Sequence, residues 1–206
     1  MILIEEYKVY LTILNFRGFA VKTVEIRWHG RGGQGVVTAN ELLAGAAIRE
    51  GKFIKAFPEF GPERMGAPIR AFTRISEEPI KVHSQVYNPD FVVVLDSTLI
   101  GHMDLTGGLK EGGVVIANYS EGKLELSKVL GDGGDIHAVN ATKIALEEIG
   151  RPMANTAMLG ALVKVAELVS LDSILSELQT KFSAKFPDKV IQKNINSVKR
   201  AYEEVD

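Results

Sequence analysis

The chain has 206 residues, 46% hydrophobic and 24% charged, with 24 basic side chains against 26 acidic ones and a formal net charge of −2. This suits one globular domain around a single sizeable core, and the near balance of charge excludes a global electrostatic case for nucleic acid or an anionic membrane, so any anion site must be local. There is no cysteine, which excludes disulfides, an iron–sulfur cluster ligated by this chain and a cysteine nucleophile.

Residues 1–23 are apolar, but Glu5, Glu6 and Lys8 come early and Asn15 and Arg17 break the run. The segment lacks the basic start and small-residue cleavage site of a signal peptide. No other stretch approaches the roughly 18 uncharged apolar residues of a spanning helix, and the expected location is cytoplasmic.

Residues 24–29 alternate as Val, Glu, Ile, Arg, Trp, His, predicting a strand with two differently used faces that runs straight into glycines. Residues 36–50 carry Val37, Leu42, Leu43, Ala46, Ala47 and Ile48 before Gly51, a largely apolar helix with its stop signal. Residues 53–57 and 69–75 read as strands on either side of a Pro/Gly-rich loop over 58–66. The all-apolar run 91–95 ends in Asp96, the pattern of a strand buried on both faces, and 113–117 and 136–139 read as further short strands. Residues 153–169 are apolar nearly all round, and Leu171, Ile174, Leu175, Leu178 and Phe182 keep to one helical face. Pro187 opens a last helix whose stripe of Ile191, Ile195, Val198, Tyr202 and Val205 needs a cover. Strands alternating with helices predict a three-layer α/β/α domain with a mainly parallel sheet and a helical C-terminal segment.

Gly30-Arg31-Gly32-Gly33-Gln34-Gly35 follows a predicted strand and opens a predicted helix, so its backbone N–H groups can converge on an anion, with Arg31 adding a charge. Gly30, Gly32 and Gly35 satisfy the dinucleotide pattern G-x-G-x-x-G, yet the acidic residue expected about 20 positions on would be Glu59, which follows Pro58 into a loop. No Gly-Lys-Ser/Thr comes after it, which removes the P-loop reading. A plainer alternative gives these glycines only a tight turn and close helix packing. Gly131-Asp132-Gly133 begins like a thiamine diphosphate motif, with Asn155 as the later partner, but no apolar strand enters it and it reads as a turn. The loop from Phe57 to Pro68 is long enough to ask for a function: Glu59 and Arg64 are its candidate ligand or interface residues, Arg64 as a partner for carboxylate or phosphate. His29, His83, His102 and His137 have no ligand spacing, so no metal residue is assigned, and no catalytic residue is assigned either. Asp96, at a strand end, is placed for a ligand or for capping the next stretch of chain.

The blocks Arg27-Trp-His-Gly-Arg-Gly-Gly-Gln-Gly-Val36, Phe57-Pro-Glu-Phe-Gly-Pro-Glu-Arg-Met-Gly-Ala-Pro68, Ala71-Phe-Thr-Arg-Ile75, Pro89-Asp-Phe-Val-Val-Val-Leu-Asp96 and Asn155-Thr-Ala-Met-Leu-Gly160 resemble, in order, the gamma subunit of pyruvate (2-oxoacid):ferredoxin oxidoreductases, and the likeness covers about 24–204. The resemblance implies a cytoplasmic heterotetramer with alpha, beta and delta subunits. That complex oxidises a 2-oxoacid on thiamine diphosphate and Mg2+, passes electrons through [4Fe-4S] clusters to ferredoxin and delivers the acyl group to coenzyme A. It implies no cofactor held by this chain alone, no nucleic acid or membrane partner, and a gamma module that helps to close the coenzyme A cavity; Gly30–Gly35 is the expected phosphate cradle. Assembly surfaces are expected in the 58–68 loop and part of the C-terminal stripe, with self-association when isolated. Two alternatives stay open: the corresponding subunit of a 2-oxoisovalerate or indolepyruvate enzyme, and an independent NAD(P)-dependent oxidoreductase. Residues 1–23 match nothing in the family, and two expectations stand for them, a start-site artefact with the natural chain beginning near Val21, or an added strand or arm. The expected division is thus an extension, 1–23, and one domain, 24–206.

Overall fold

The structure, a computed structural model, describes residues 23–59, 65–131 and 134–206. The expectations for residues 1–22 and for Phe60, Glu63, Arg64 and Asp132 lie outside the described residues. In chain order the elements are β1 (Val24–Arg31), α1 (Val36–Arg49), β2 (Phe53–Pro58), β3 (Pro68–Ser76), β4 (Phe91–Val94), a 3-10 turn at Ser97–Leu99, β5 (Val114–Asn118), α2 (Gly122–Leu130), β6 (Asp135–Val139), α3 (Ala141–Glu148), α4 (Asn155–Ala166), α5 (Leu171–Ser183) and α6 (Asp188–Glu204).

The strands form one sheet in the order β2-β3-β1-β4-β5-β6. β1, β4, β5 and β6 run parallel, with Trp28 opposite Val93 and Val93 opposite Ile116. β3 is antiparallel to β1, Trp28 facing Ala71, and to β2. The mainly parallel α/β architecture is therefore as expected, with an antiparallel wing added by the β2–β3 hairpin.

β1 is buried on both faces, and its alternation sorts apolar from polar side chains. Ile26 and Trp28 are fully buried on the face covered by α1, α3, α4 and α5, and the Trp28 indole N–H donates to Thr73 Oγ1 at 2.9 Å. Val93 points to that face while Val92 and Val94 point to a second core under α2 and the 3-10 turn, the two-sided burial that an all-apolar strand requires. Over the other half of the second face no helix lies among the described residues. There Arg74 holds the carbonyls of Ser84 and Gln85 at 2.6 and 3.0 Å, and Arg27 holds those of Leu105 and Gly107 at 2.9 and 2.8 Å, so two irregular segments cover β1 and β3.

α6 packs on α4 rather than on the sheet. Gly160 makes this possible, because a Cβ there would meet the backbone carbonyl of Val198. Ile191, Val198 and Ala201 are buried, with Ile195, Tyr202 and Val205 packed against the same core. The C-terminal stripe is thus covered in large part within the chain, Ile195, Tyr202 and Val205 staying only partly buried.

Candidate functional site

The sheet's direction changes hands between β1 and β4. After β1 the chain crosses to α1 on one face, and after β4 it enters the 3-10 turn on the other. In open α/β sheets the crevice at such a switch, beyond the carboxyl ends of the strands, is where ligands bind. Gly30–Gly35 and Asp96 line it from the two sides.

Gly30 sits in β1 opposite Ile69, and a Cβ there would stand 2.5 Å from Val36 Cγ2, so the absence of a side chain lets α1 start against the strand. The Gly32 N–H donates to the Ala67 carbonyl at 2.9 Å and the Gly66 N–H to the Gly32 carbonyl at 3.1 Å, while the Gln34 N–H closes a turn onto the Arg31 carbonyl at 3.1 Å. Gly35 caps α1 at φ 79, a left-handed conformation that costs glycine little, and a Cβ there would run into Asn155. Gln34 spans the crevice: its Oε1 accepts from the Arg31 N–H at 2.8 Å, and its Nε2 donates to Asp96 Oδ2. Among the described residues the amides of Gly33 and Gly35 donate to no backbone acceptor, so they are the loop's unspent donors.

Arg31, expected to add a free positive charge, is instead engaged. Its Nε lies 3.3 Å from Asp96 Oδ2, and the guanidinium donates to Thr98 Oγ1 at 3.0 and 3.2 Å and to the Gly66 carbonyl at 3.1 Å. Asp96 in turn accepts from Thr98 N–H at 2.8 Å and Thr98 O–H at 2.6 Å. Burial alone would raise its carboxyl, but the hydrogen bonds from Thr98 and Gln34, with Arg31 alongside, hold it below the usual carboxylate range. It caps the 3-10 turn and stays ionised at neutral pH. Next along the edge, Asn118 Nδ2 donates to the Leu95 carbonyl at 2.9 Å and to Thr142 Oγ1 at 2.7 Å. Gln34, Asp96, Asn118 and Thr142 share a small cavity of about 210 Å³. The crevice thus presents hydrogen-bonding groups with matched charges, an arrangement suited to binding.

Glu59 lies behind Pro58, outside β2, as expected. The end of β2 is where a ribose-binding acid would be sought. However, β3 intervenes between β1 and β2, and the carboxylate is held bidentately by Arg70, at 2.5 and 2.8 Å, and by Gln85 at 3.1 Å. No hydrogen bond joins it to the glycine loop among the described residues. His29 is buried in β1 and accepts from Arg27 Nε at 3.0 Å through Nε2. Desolvation, with Arg27 and Arg70 close by, pushes its imidazole down to about 3, so it is neutral and no general acid. Among the described residues no group of three or more metal-ligating side chains gathers, and no helix is long and apolar enough to cross a membrane.

Sequence reasoning missed Gln34's bridging role, together with Thr98, Asn118 and Thr142. Asp96 carried a signal, its strand-end position; the others depend on which strands are neighbours.

The model of the pyruvate ferredoxin/flavodoxin oxidoreductase family matches residues 25–204. The chain belongs to that family. It is 50% identical over 187 residues to the pyruvate synthase subunit PorC of Methanothermobacter thermautotrophicus, covering 89% of this chain and 96% of that one. It is 51% identical over 167 residues to the pyruvate/ketoisovalerate oxidoreductases common subunit gamma of Thermococcus kodakarensis, covering 81% and 90%. The crystal structure of the pyruvate oxidoreductase subunit PORC from Thermotoga maritima superposes with a TM-score of 0.80 at 45% identity, over 90% of this chain and 98% of that one. The family reading from the glycine and 57–68 blocks is borne out.

Proposed function

We infer that this chain serves as the gamma subunit of a pyruvate:ferredoxin oxidoreductase, the complex that converts pyruvate, coenzyme A and oxidised ferredoxin to acetyl-coenzyme A, CO2 and reduced ferredoxin. The observation that carries this reading is identity of 50% across 96% of a pyruvate synthase subunit. The chemistry of the chain agrees with a supporting role. It has no cysteine to ligate the [4Fe-4S] clusters, and its crevice is lined by hydrogen-bonding groups suited to binding. Thiamine diphosphate, Mg2+ and the clusters then belong to the alpha, beta and delta subunits. This chain closes the coenzyme A cavity, with the unspent amides of Gly33 and Gly35 donating to a phosphate. Arg64 and the rest of the loop beyond Glu59 form a contact with those subunits in a cytoplasmic complex.

A second reading has support from four relatives, whose names give their gamma subunit to both pyruvate and ketoisovalerate enzymes; in that arrangement this chain is shared and substrate choice lies with its partners. The independent nicotinamide enzyme is disfavoured, since Glu59 is separated from β1 by β3 and bound to Arg70.

The test is anaerobic purification of the tagged chain from its host, with identification of co-purifying proteins and assay of pyruvate- and coenzyme A-dependent dye reduction. Partners carrying cluster cysteines and a thiamine motif, together with activity, support the assignment. A lone protein that binds a nicotinamide nucleotide sinks it.

A further inference from the structure

A second concavity lies on the helical face, apart from the crevice, between the start of α1, the end of α5, the start of α6 and the segment before α4. Its volume is about 610 Å³, within the range of small-molecule sites. Lys181, Lys185, Lys189, Lys193 and Arg151 line it against a single carboxylate, Glu41, a local charge of +4 in a chain whose total is −2. Lys181 is paired with Glu41, while Lys185, Lys189, Lys193 and Arg151 make no ion pair among the described residues.

Helix electrostatics explain only part of this cluster. Cations at the carboxyl end of α5 suit its dipole, which accounts for Lys181 and Lys185. Lys189 stands in the first turn of α6, where the dipole disfavours a cation, and has a like charge, Lys193, one turn on. Asp188 in the same turn offsets the dipole but forms no ion pair with either lysine among the described residues, so the groove keeps its excess of positive charge. The floor is apolar: Phe182 and Phe186 form an edge-on ring pair at 5.2 Å, Met153 and Val190 adjoin them, and Phe186 is 44% exposed. Asn155, buried yet lining the same groove, makes one long hydrogen bond, Nδ2 to the Gly35 carbonyl at 3.5 Å.

We propose that this groove binds a ligand joining two or more phosphate groups to a flat apolar ring, that is, a ligand of nucleotide chemistry. The ring stacks on Phe186, and the phosphates lie among Lys185, Lys189 and Arg151 as point-charge partners. The proposal does not rest on the coenzyme A reading of the glycine loop, and its failure would leave the activity of the complex unaffected.

The probe is ADP, titrated calorimetrically into the full chain, with adenosine and pyrophosphate as its two halves. Saturable ADP binding is expected to weaken at least tenfold in Lys185→Ala/Lys189→Ala, and Phe186→Ala should weaken ADP without affecting pyrophosphate. Circular dichroism keeps misfolded variants out of the comparison. No saturable binding, or ADP affinity indifferent to these variants, overturns the proposal. Pyrophosphate binding as tight as ADP with Phe186→Ala silent overturns it too, leaving a bare anion patch. Loss of ADP binding when the chain is assembled into the complex assigns the groove to a partner protein and likewise rejects a nucleotide.

Discussion

His29 sits within β1 as a neutral imidazole whose Nδ1 is buried without a hydrogen-bond partner among the described residues. Its folded pKa, about 3, lies below the ordinary value of 6.5, so the unfolded chain binds more protons between those limits. Stability should therefore be fully present above about pH 6.5 and fall as the pH drops toward 3, by at most on the order of 4 kcal/mol. Urea unfolding at pH 7, 5.5 and 4 checks this: the wild type should lose stability progressively, and His29→Gln, which keeps an acceptor for Arg27, should give a flatter profile. Asp96 behaves in the same direction but lower on the scale, its depressed carboxyl losing its contribution only below the usual carboxylate range. Asp96→Asn should destabilise by about 1–2 kcal/mol at neutral pH, read as a lower urea midpoint with unchanged slope, because Arg31 and Thr98 lose an ionised acceptor. At this scale the sequence showed which residues could matter but not what they touch. Asp96 was visible because it ends an apolar strand; that Arg31 is engaged by it depends on β1 and β4 being neighbours, and Glu59's engagement by Arg70 depends on a hairpin register.

Two helices went unread, and their composition explains why. α2 opens at Gly122 with φ 80 and buries one side chain, Leu126, while Leu124 and Val129 are exposed, so no stripe announces it. α3 is eight residues long and buries Ala141, Ile144 and Ala145, too short for the 3.6-residue period to repeat convincingly. The long apolar helices and the two-sided strand β4 were legible because burial on every side writes itself into composition. α6 gave the right face but not its cover: a stripe says that something covers it, and only packing says what. The cover is α4, admitted by Gly160. Gly160→Ala gains helix propensity of about 1 kcal/mol, but its methyl group meets the immovable Val198 carbonyl, and overpacking of this kind costs about 1–3 kcal/mol. The expected result is a net loss of stability with a fall in melting temperature of a few degrees. A melting temperature at or above that of the wild type would mean that α6 sits farther from α4 than this packing requires.

At the level of the whole molecule, the chain divides labour with its partners. On the function proposed above, its switch-point crevice holds a ligand with matched charges and open amides, and a chain without cysteine supplies no thiolate to ligate an iron–sulfur cluster. A substitution in that crevice should then change how tightly an anionic substrate is held without changing the chemistry performed elsewhere. Gln34 is the informative position because its amide joins the Arg31 N–H to Asp96. Gln34→Glu keeps the shape and the acceptor to Arg31, but sets a second carboxylate against Asp96 and before the amides of Gly33 and Gly35. In the assembled complex, on the function proposed above, the KM for coenzyme A should rise about tenfold or more, the equivalent of roughly 1.4 kcal/mol, while kcat at saturating coenzyme A and the KM for pyruvate stay within about twofold. Loss of uniform binding has this kinetic form, whereas removal of a group acting only in the transition state lowers kcat. Steady-state dye reduction with each substrate varied in turn distinguishes them. A fall in kcat with an unchanged KM for coenzyme A would move this crevice from substrate capture to the reacting centre.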